Sequence, residues 1–144
     1  MICSPLGRVK STAKIALSEA TYLSEITYDD RLKEHGFGTW EGLNLEEIEE
    51  RFPGMQDQRE KDCWNFKLPE GESYAVLESR LTSFIQSIDK SQNIILFCHE
   101  MVSKTLRKIL LGLTENQTIN LTHDQFSFFV IDNKKVHQYN CNPH

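Results

Sequence analysis

The stretch Asn93-Ile94-Ile95-Leu96-Phe97-Cys98-His99 decides how this chain is read. It is an unbroken apolar run that ends on a histidine. A run without polar alternation is the mark of a strand covered on both faces, as in the middle of a parallel sheet. Directly after it, Met101, Val102, Leu106, Ile109, Leu110 and Leu113 recur at helical spacing, with Gly112 near the end. Before it, Val76, Leu77, Leu81, Phe84, Ile85 and Ile88 mark a second amphipathic helix, and Ser73 is placed to cap its start. Helix, strand, helix in that order predicts an α/β domain with a mainly parallel central sheet between helices.

The rest of the chain fits around that centre. Met1-Ile2-Cys3 reads as the tail of a strand and Ser4-Pro5-Leu6-Gly7 as a turn. A helix follows, with Val9, Ala13, Ala16, Leu17, Ala20 and Leu23 on one face. Tyr28-Asp29-Asp30 is expected to be loop. His35-Gly36-Phe37-Gly38-Thr39-Trp40-Glu41-Gly42 holds three glycines, which disfavour helix and strand alike. Such a loop can bring backbone close to a ligand, or simply connect elements while Phe37 and Trp40 anchor it in the core. A short acidic helix is predicted from Leu45 to Arg51, stopped by Pro53-Gly54. Near the C-terminus, Gln125 to Ile131 and Lys135 to Tyr139 read as a hairpin turned by Asp132-Asn133-Lys134 that closes one side of the sheet.

A chain of 144 residues suits one domain with a single core. Its apolar runs are far shorter than the roughly 20 residues a membrane helix needs, and no secretory leader is visible. The net charge is −5, from 16 Lys and Arg against 21 Asp and Glu. There is no basic stripe of the kind nucleic-acid binders carry. Cys3, Cys63, Cys98 and Cys141 lie far apart and form no C-x-x-C pair, so they read as reduced thiols in a cytoplasmic setting, with neither a disulfide framework nor a metal site.

Ligands of open α/β sheets sit beyond the carboxyl ends of the strands. Ser4 ends the first strand here, with Arg8 one helical turn on, and His99 ends the second at the start of a helix. A helix start favours anions. Arg8 can grip phosphate oxygens with its planar fork, and His99 can stabilise charge on the same oxygens. Glu34, beside the glycine-rich stretch, can hand a proton to a leaving oxygen if it is shielded from water. Taken singly, each of these residues has an ordinary structural explanation; their order along the chain is what points to a site.

The succession Ser4-Pro5-Leu6-Gly7-Arg8, Thr12-Ala13, Leu32 to Gly42, Pro69-Glu70-Gly71-Glu72-Ser73 with Arg80, Phe97-Cys98-His99-Glu100 and Leu106-Arg107 resembles the histidine phosphatase superfamily, the phosphoglycerate-mutase-like proteins. The resemblance runs over essentially the whole chain. It implies a sheet sandwiched by helices, a phosphohistidine intermediate and no metal or other cofactor. It makes Arg8 the phosphate-binding arginine, Glu34 the acid/base glutamate and His99 the second catalytic histidine, which binds the phosphoryl group without being phosphorylated. Glu100 stands where the family commonly has glycine, and with Ser4 it is a candidate for the substrate pocket. Glu72 and Ser73 read mainly as the start of a helix and its packing. The Glu34 to Gly42 pattern and the short Met55 to Pro69 segment favour a phosphatase acting on a phosphorylated small molecule over a phosphoglycerate mutase.

One departure matters. The family's nucleophile sits in an Arg-His-Gly motif, and no Arg-His-Gly occurs here; His35-Gly36 falls inside the glutamate segment. The resemblance therefore implies a single domain, 1–144, without its first strand, first helix and most of its second strand. Two consequences are expected. The phosphohistidine route is closed to this chain alone. A buried strand faces an empty slot, which invites self-association through the exposed sheet edge. The alternatives are an N-terminally truncated phosphatase, a non-catalytic phosphate-ligand binder or partner protein of the same fold, and an unrelated α/β protein.

Overall fold

The computed structural model describes residues 1–18 and 25–141. Strand β1 (Ile2–Cys3) is followed by α1 (Gly7–Ser18) and β2 (Thr27–Tyr28). Next come α2 (Leu45–Arg51), α3 (Met55–Lys61) and α4 (Tyr74–Ser87). Strand β3 (Leu96–Phe97) leads into α5 (Glu100–Leu111) and α6 (Glu115–Ile119), and a hairpin of β4 (Ser127–Asp132) and β5 (Lys135–Asn140) ends the described chain. Single 3-10 turns lie at Asp30–Leu32 and Gly38–Trp40.

The sheet is parallel, in the order β2-β1-β3, with Ile2 opposite Thr27 and Leu96, and Cys3 opposite Tyr28 and Phe97. Parallel pairing brings Cys3 and Phe97 to the same end, so the residues that follow both strands emerge together. β3 differs from its sequence expectation. It is a two-residue strand at the sheet edge, paired on one side by β1, and Ile95 is 54% exposed. A central strand pairs with a neighbour on each edge, and β3 has one among the described residues. Tyr28, expected in a loop, lies in β2.

The main core joins Leu32, Trp64, Tyr74, Leu77, Leu81, Phe84, Ile85, Val102 and Leu106. It forms because the apolar stripes of α4 and α5 face each other. Burying each large side chain contributes roughly 1.5–3 kcal/mol. Ser73 caps α4 by accepting the Val76 N–H, as its position predicts. Gly112, at φ 72°, ends α5 in the left-handed conformation that glycine adopts without penalty. Val76 turns outward and is 45% exposed, contrary to its place in the predicted stripe. On α1 the buried residues are Val9 and Ala13, while Ala16 is exposed; Ala20 and Leu23 lie outside the described residues.

The hairpin forms its own two-stranded sheet rather than closing the first one. Its turn residues Asn133 and Lys134 both have positive φ, 47° and 60°, as a two-residue hairpin loop requires. Its hold on the domain includes Arg107, which is 5% exposed, stands 4.1 Å above the Phe129 ring and donates to the Thr122 carbonyl. No helix among the described residues is long and apolar enough to cross a membrane.

Candidate functional site

Ser4 follows β1 directly, and His99 follows β3 after Cys98. The Ser4 N–H donates to the Phe97 carbonyl at 2.8 Å, which extends the strand pairing to the rim. There the Ser4 hydroxyl and His99 Nε2 share a hydrogen bond of 2.8 Å. His99 is the N-cap of α5, with extended backbone (φ −122°, ψ 173°), and its carbonyl accepts the Ser103 N–H. The imidazole thus stands at the sheet rim while the helix begins beneath it.

Glu34 reaches the same place by another route. The 3-10 turn ending at Leu32, which is fully buried, anchors the segment in the core. The Glu34 carboxyl then accepts the His35 N–H at 3.0 Å and meets the backbone N–H groups of Met101 and Val102 in the first turn of α5. Burial raises its pKa; these N–H groups and the charge of Arg8 pull it back without cancelling the rise. His99 shifts the other way. Burial, followed by the charges of Arg8 and Arg80, pushes its pKa down to about 4, so the ring is neutral near neutral pH. Arg8 is exposed in the first turn of α1, within electrostatic reach of both groups.

The sequence-predicted residues Arg8, Glu34 and His99 therefore converge on one rim. Ser4 is there too but is fully buried, so its hydroxyl orients His99 rather than lining an open pocket. Glu100 is bound to its own helix: its carboxylate pairs with Lys104 Nζ at 2.7 Å. No cluster of metal-ligating side chains occurs among the described residues.

Sequence reasoning missed the part played by Glu72 and Arg80. Arg80 donates from Nε and Nη2 to the two Glu72 oxygens at 2.9 and 2.8 Å. It also donates to the backbone carbonyls of Arg31 and Glu34. Glu72 accepts the Gly36 N–H at 3.1 Å. The pair clasps the chain on both sides of the Glu34 carboxyl. Burial would raise the Glu72 pKa, but the Arg80 hydrogen bonds, the Gly36 N–H and the Arg80 charge win, and it lies below the ordinary carboxylate range. The signal was present in the quoted Pro69 to Ser73 and Arg80 residues, where it was read as helix start and packing.

The glycines complete the clasp. The Glu72 N–H donates to the Gly36 carbonyl and the Thr39 N–H to the Pro69 carbonyl, both at 2.9 Å. Gly38 has φ 56°, and a Cβ there would overlap the backbone of Pro69 to Gly71. The close approach inferred for this loop is thus to another backbone segment of the same chain.

A parallel sheet with a cation, a shielded carboxyl, an imidazole and a helix start at its carboxyl end is an α/β arrangement of the kind that places ligands beyond its strand ends. The Histidine phosphatase superfamily (branch 1) profile matches residues 1–139, and the chain belongs to that family. Among curated proteins it is similar to 6-phosphofructo-2-kinase/fructose-2,6-bisphosphatase of Gallus gallus, 35% identical over 75 residues, 52% of this chain and 16% of that protein. The human form 1 of the same enzyme is 30% identical over 86 residues, 60% of this chain and 18% of that protein. The chain thus spans less than a fifth of these curated relatives. Among solved structures, the alpha-ribazole phosphatase of Shigella flexneri superposes with a TM-score of 0.78 at 24% identity, over 99% of this chain and 72% of that one. A mycobacterial glucosyl-3-phosphoglycerate phosphatase, solved with inorganic phosphate, gives a TM-score of 0.65 at 26% identity, over 85% and 63% of the two chains. The predicted α/β, phosphoglycerate-mutase-like fold is the observed one.

Proposed function

We propose that this chain carries the phosphate-binding and proton-transfer part of a phosphomonoesterase site for a phosphorylated small molecule. Arg8 grips the phosphoryl oxygens. Neutral His99 hydrogen-bonds to them as charge develops. In the intact form, where a histidine takes the phosphoryl group, Glu34, whose pKa burial raises, gives its proton to the leaving oxygen as the P–O bond breaks. The observation that carries this reading is the Glu34 carboxyl on the first-turn N–H groups of α5, the helix that starts at His99, with the Arg8 charge within reach of both.

The sequence holds no Arg-His-Gly, so the reading takes 1–144 as one phosphatase-like domain without the nucleophilic histidine. The phosphohistidine route then belongs to the intact form, and this chain alone binds phosphate esters without turning them over. That absence equally favours the second reading, a non-catalytic phosphate-ligand binder. Arg59 supports a substrate with a second anionic group. It has no ion-pair partner among the described residues, lines a cleft of about 380 Å³ with Trp40, Gln56, Glu60 and Cys63, and its charge reaches His35 and Tyr74. The bisphosphatase name of the curated relatives is of that kind. Four free thiols support a cytoplasmic setting, and the one-sided edge of β3 supports self-association.

The test has two arms. Inorganic phosphate titrated into the full chain is expected to shift the His99 ring resonances saturably, and Arg8→Gln to abolish the shift. Hydrolysis of p-nitrophenyl phosphate is expected to be no faster than by His99→Ala. Turnover with a phosphohistidine detected on this chain would overturn the inactive reading, and a His99 ring indifferent to phosphate would overturn the site.

A further inference from the structure

His35 is a titratable residue for which the proposed chemistry has no use. It is 4% exposed, and neither ring nitrogen has a hydrogen-bond partner. Its ring stacks on Tyr74, with centroids 5.1 Å apart and planes 27° apart, and meets Phe37 edge-on at 5.2 Å. Tyr74 stacks in turn on Trp64 of the main core at 5.2 Å. His35 is therefore the outermost plate of a three-ring column rooted in the core. Its backbone N–H donates to Glu34 Oε1, and the next N–H, of Gly36, donates to Glu72. Whatever holds the ring holds the peptide that grips the Glu34 carboxyl.

The slot accepts a neutral ring and resists a charged one. An imidazolium has two N–H donors, and here both would be buried without an acceptor. The groups that face it are set mostly against a second positive charge. Burial opposes the charged form most; Glu72, just ahead of α4, attracts it, Arg59 of α3 and Arg80 of α4 repel it, and the balance lowers the His35 pKa. The Tyr74 hydroxyl is turned to the Met101 sulfur and offers the ring no acceptor. Glu34 precedes His35 in the chain, and its carboxyl is bound to the backbone.

We propose that His35 is a positioning residue for Glu34 and works as a proton-operated latch. As a neutral ring between Tyr74 and Phe37 it fixes the peptide N–H on Glu34 Oε1. On taking a proton from solvent it leaves that slot, and the carboxyl loses one of its three amide partners. The latch rests on Glu34 being the acid/base group, but its test does not need turnover.

The experiment follows the Glu34 carboxyl carbon and the His35 ring by NMR across an acid titration of the full chain, in wild type and His35→Met. In wild type the Glu34 curve is expected to show a second inflection at the pH where the His35 ring gains its proton. His35→Met, which keeps an apolar plate, is expected to lose that inflection and keep the raised Glu34 titration. Superimposable Glu34 curves in the two proteins would overturn the latch, as would a wild-type Glu34 curve that ignores the His35 transition. The wild-type curve decides alone if the variant does not fold. Loss of phosphate binding in Arg8→Gln bears on the proposed function and leaves the latch untouched.

Discussion

The Ser4 hydroxyl and His99 Nε2, ninety-five residues apart in sequence, lie 2.8 Å apart at the rim of the sheet. The parallel pairing of Cys3 with Phe97 brings them together, because Ser4 follows Cys3 directly and His99 lies two residues past Phe97 at the same end of the sheet. Removing the hydroxyl leaves the buried imidazole without its partner. Ser4→Ala is expected to cost about 1–2 kcal/mol of stability and to weaken phosphate binding, while Ser4→Thr retains most of both. Urea unfolding and a phosphate titration check the two effects.

Glu34 carries a pKa raised above its unfolded value, which makes it a net cost at neutral pH. Its stabilising contribution is full below the unfolded pKa and is lost as pH rises through the folded one. Glu34→Gln is therefore expected to be more stable than wild type at pH 7.5 and to lose that advantage in acid. Any hydrolysis shown by an intact form is expected to fall with the same substitution. Denaturant midpoints across pH test the stability arm.

His99 behaves oppositely. Its folded pKa of about 4 lies below the ordinary histidine value, so its contribution is present above about pH 6.5 and is lost as pH falls toward 4. His99→Gln, a neutral replacement, is expected to flatten the stability profile over that window. A wild-type profile that is already flat between those limits contradicts the assignment.

Arg80 and Glu72 form a partly buried pair that also satisfies backbone carbonyls. Arg80→Met strands the Glu72 carboxylate and frees the two carbonyls. The expected loss is about 2–3 kcal/mol, below that of a fully buried pair because solvent still reaches both side chains. The Glu34 carboxyl resonance is expected to move as well, which a purely local defect in α4 does not produce.

Much of this architecture is legible residue by residue. α2 starts and stops where its acidic run and Pro53-Gly54 predict, and its first turn is closed by a reciprocal bond between Asn44 and Glu47. Ser73 and Gly112 cap as their types require. α3 was not legible because it buries no residue, so no apolar period marks it. The separation of the hairpin from the sheet escaped because alternation within a strand names its face and not its partner. Arg8, Glu34 and His99 were found through their order along the chain; nothing local to any one of them announces the others. Arg80 escaped because two of its acceptors are backbone carbonyls, which no side-chain pattern records.

The independence of β4 and β5 has a kinetic side. Their pairs join neighbours in sequence, from Asp132 with Lys135 out to Ser127 with Asn140. Contacts so local close within microseconds, long before a strand such as β1 can find β3 across more than ninety residues. The same hairpin, gripped by few side chains, is the unit expected to open first in the native state. Its amide protons should trade with solvent well ahead of those in α4 and α5, so the hairpin is both the quickest to form and the quickest to let go.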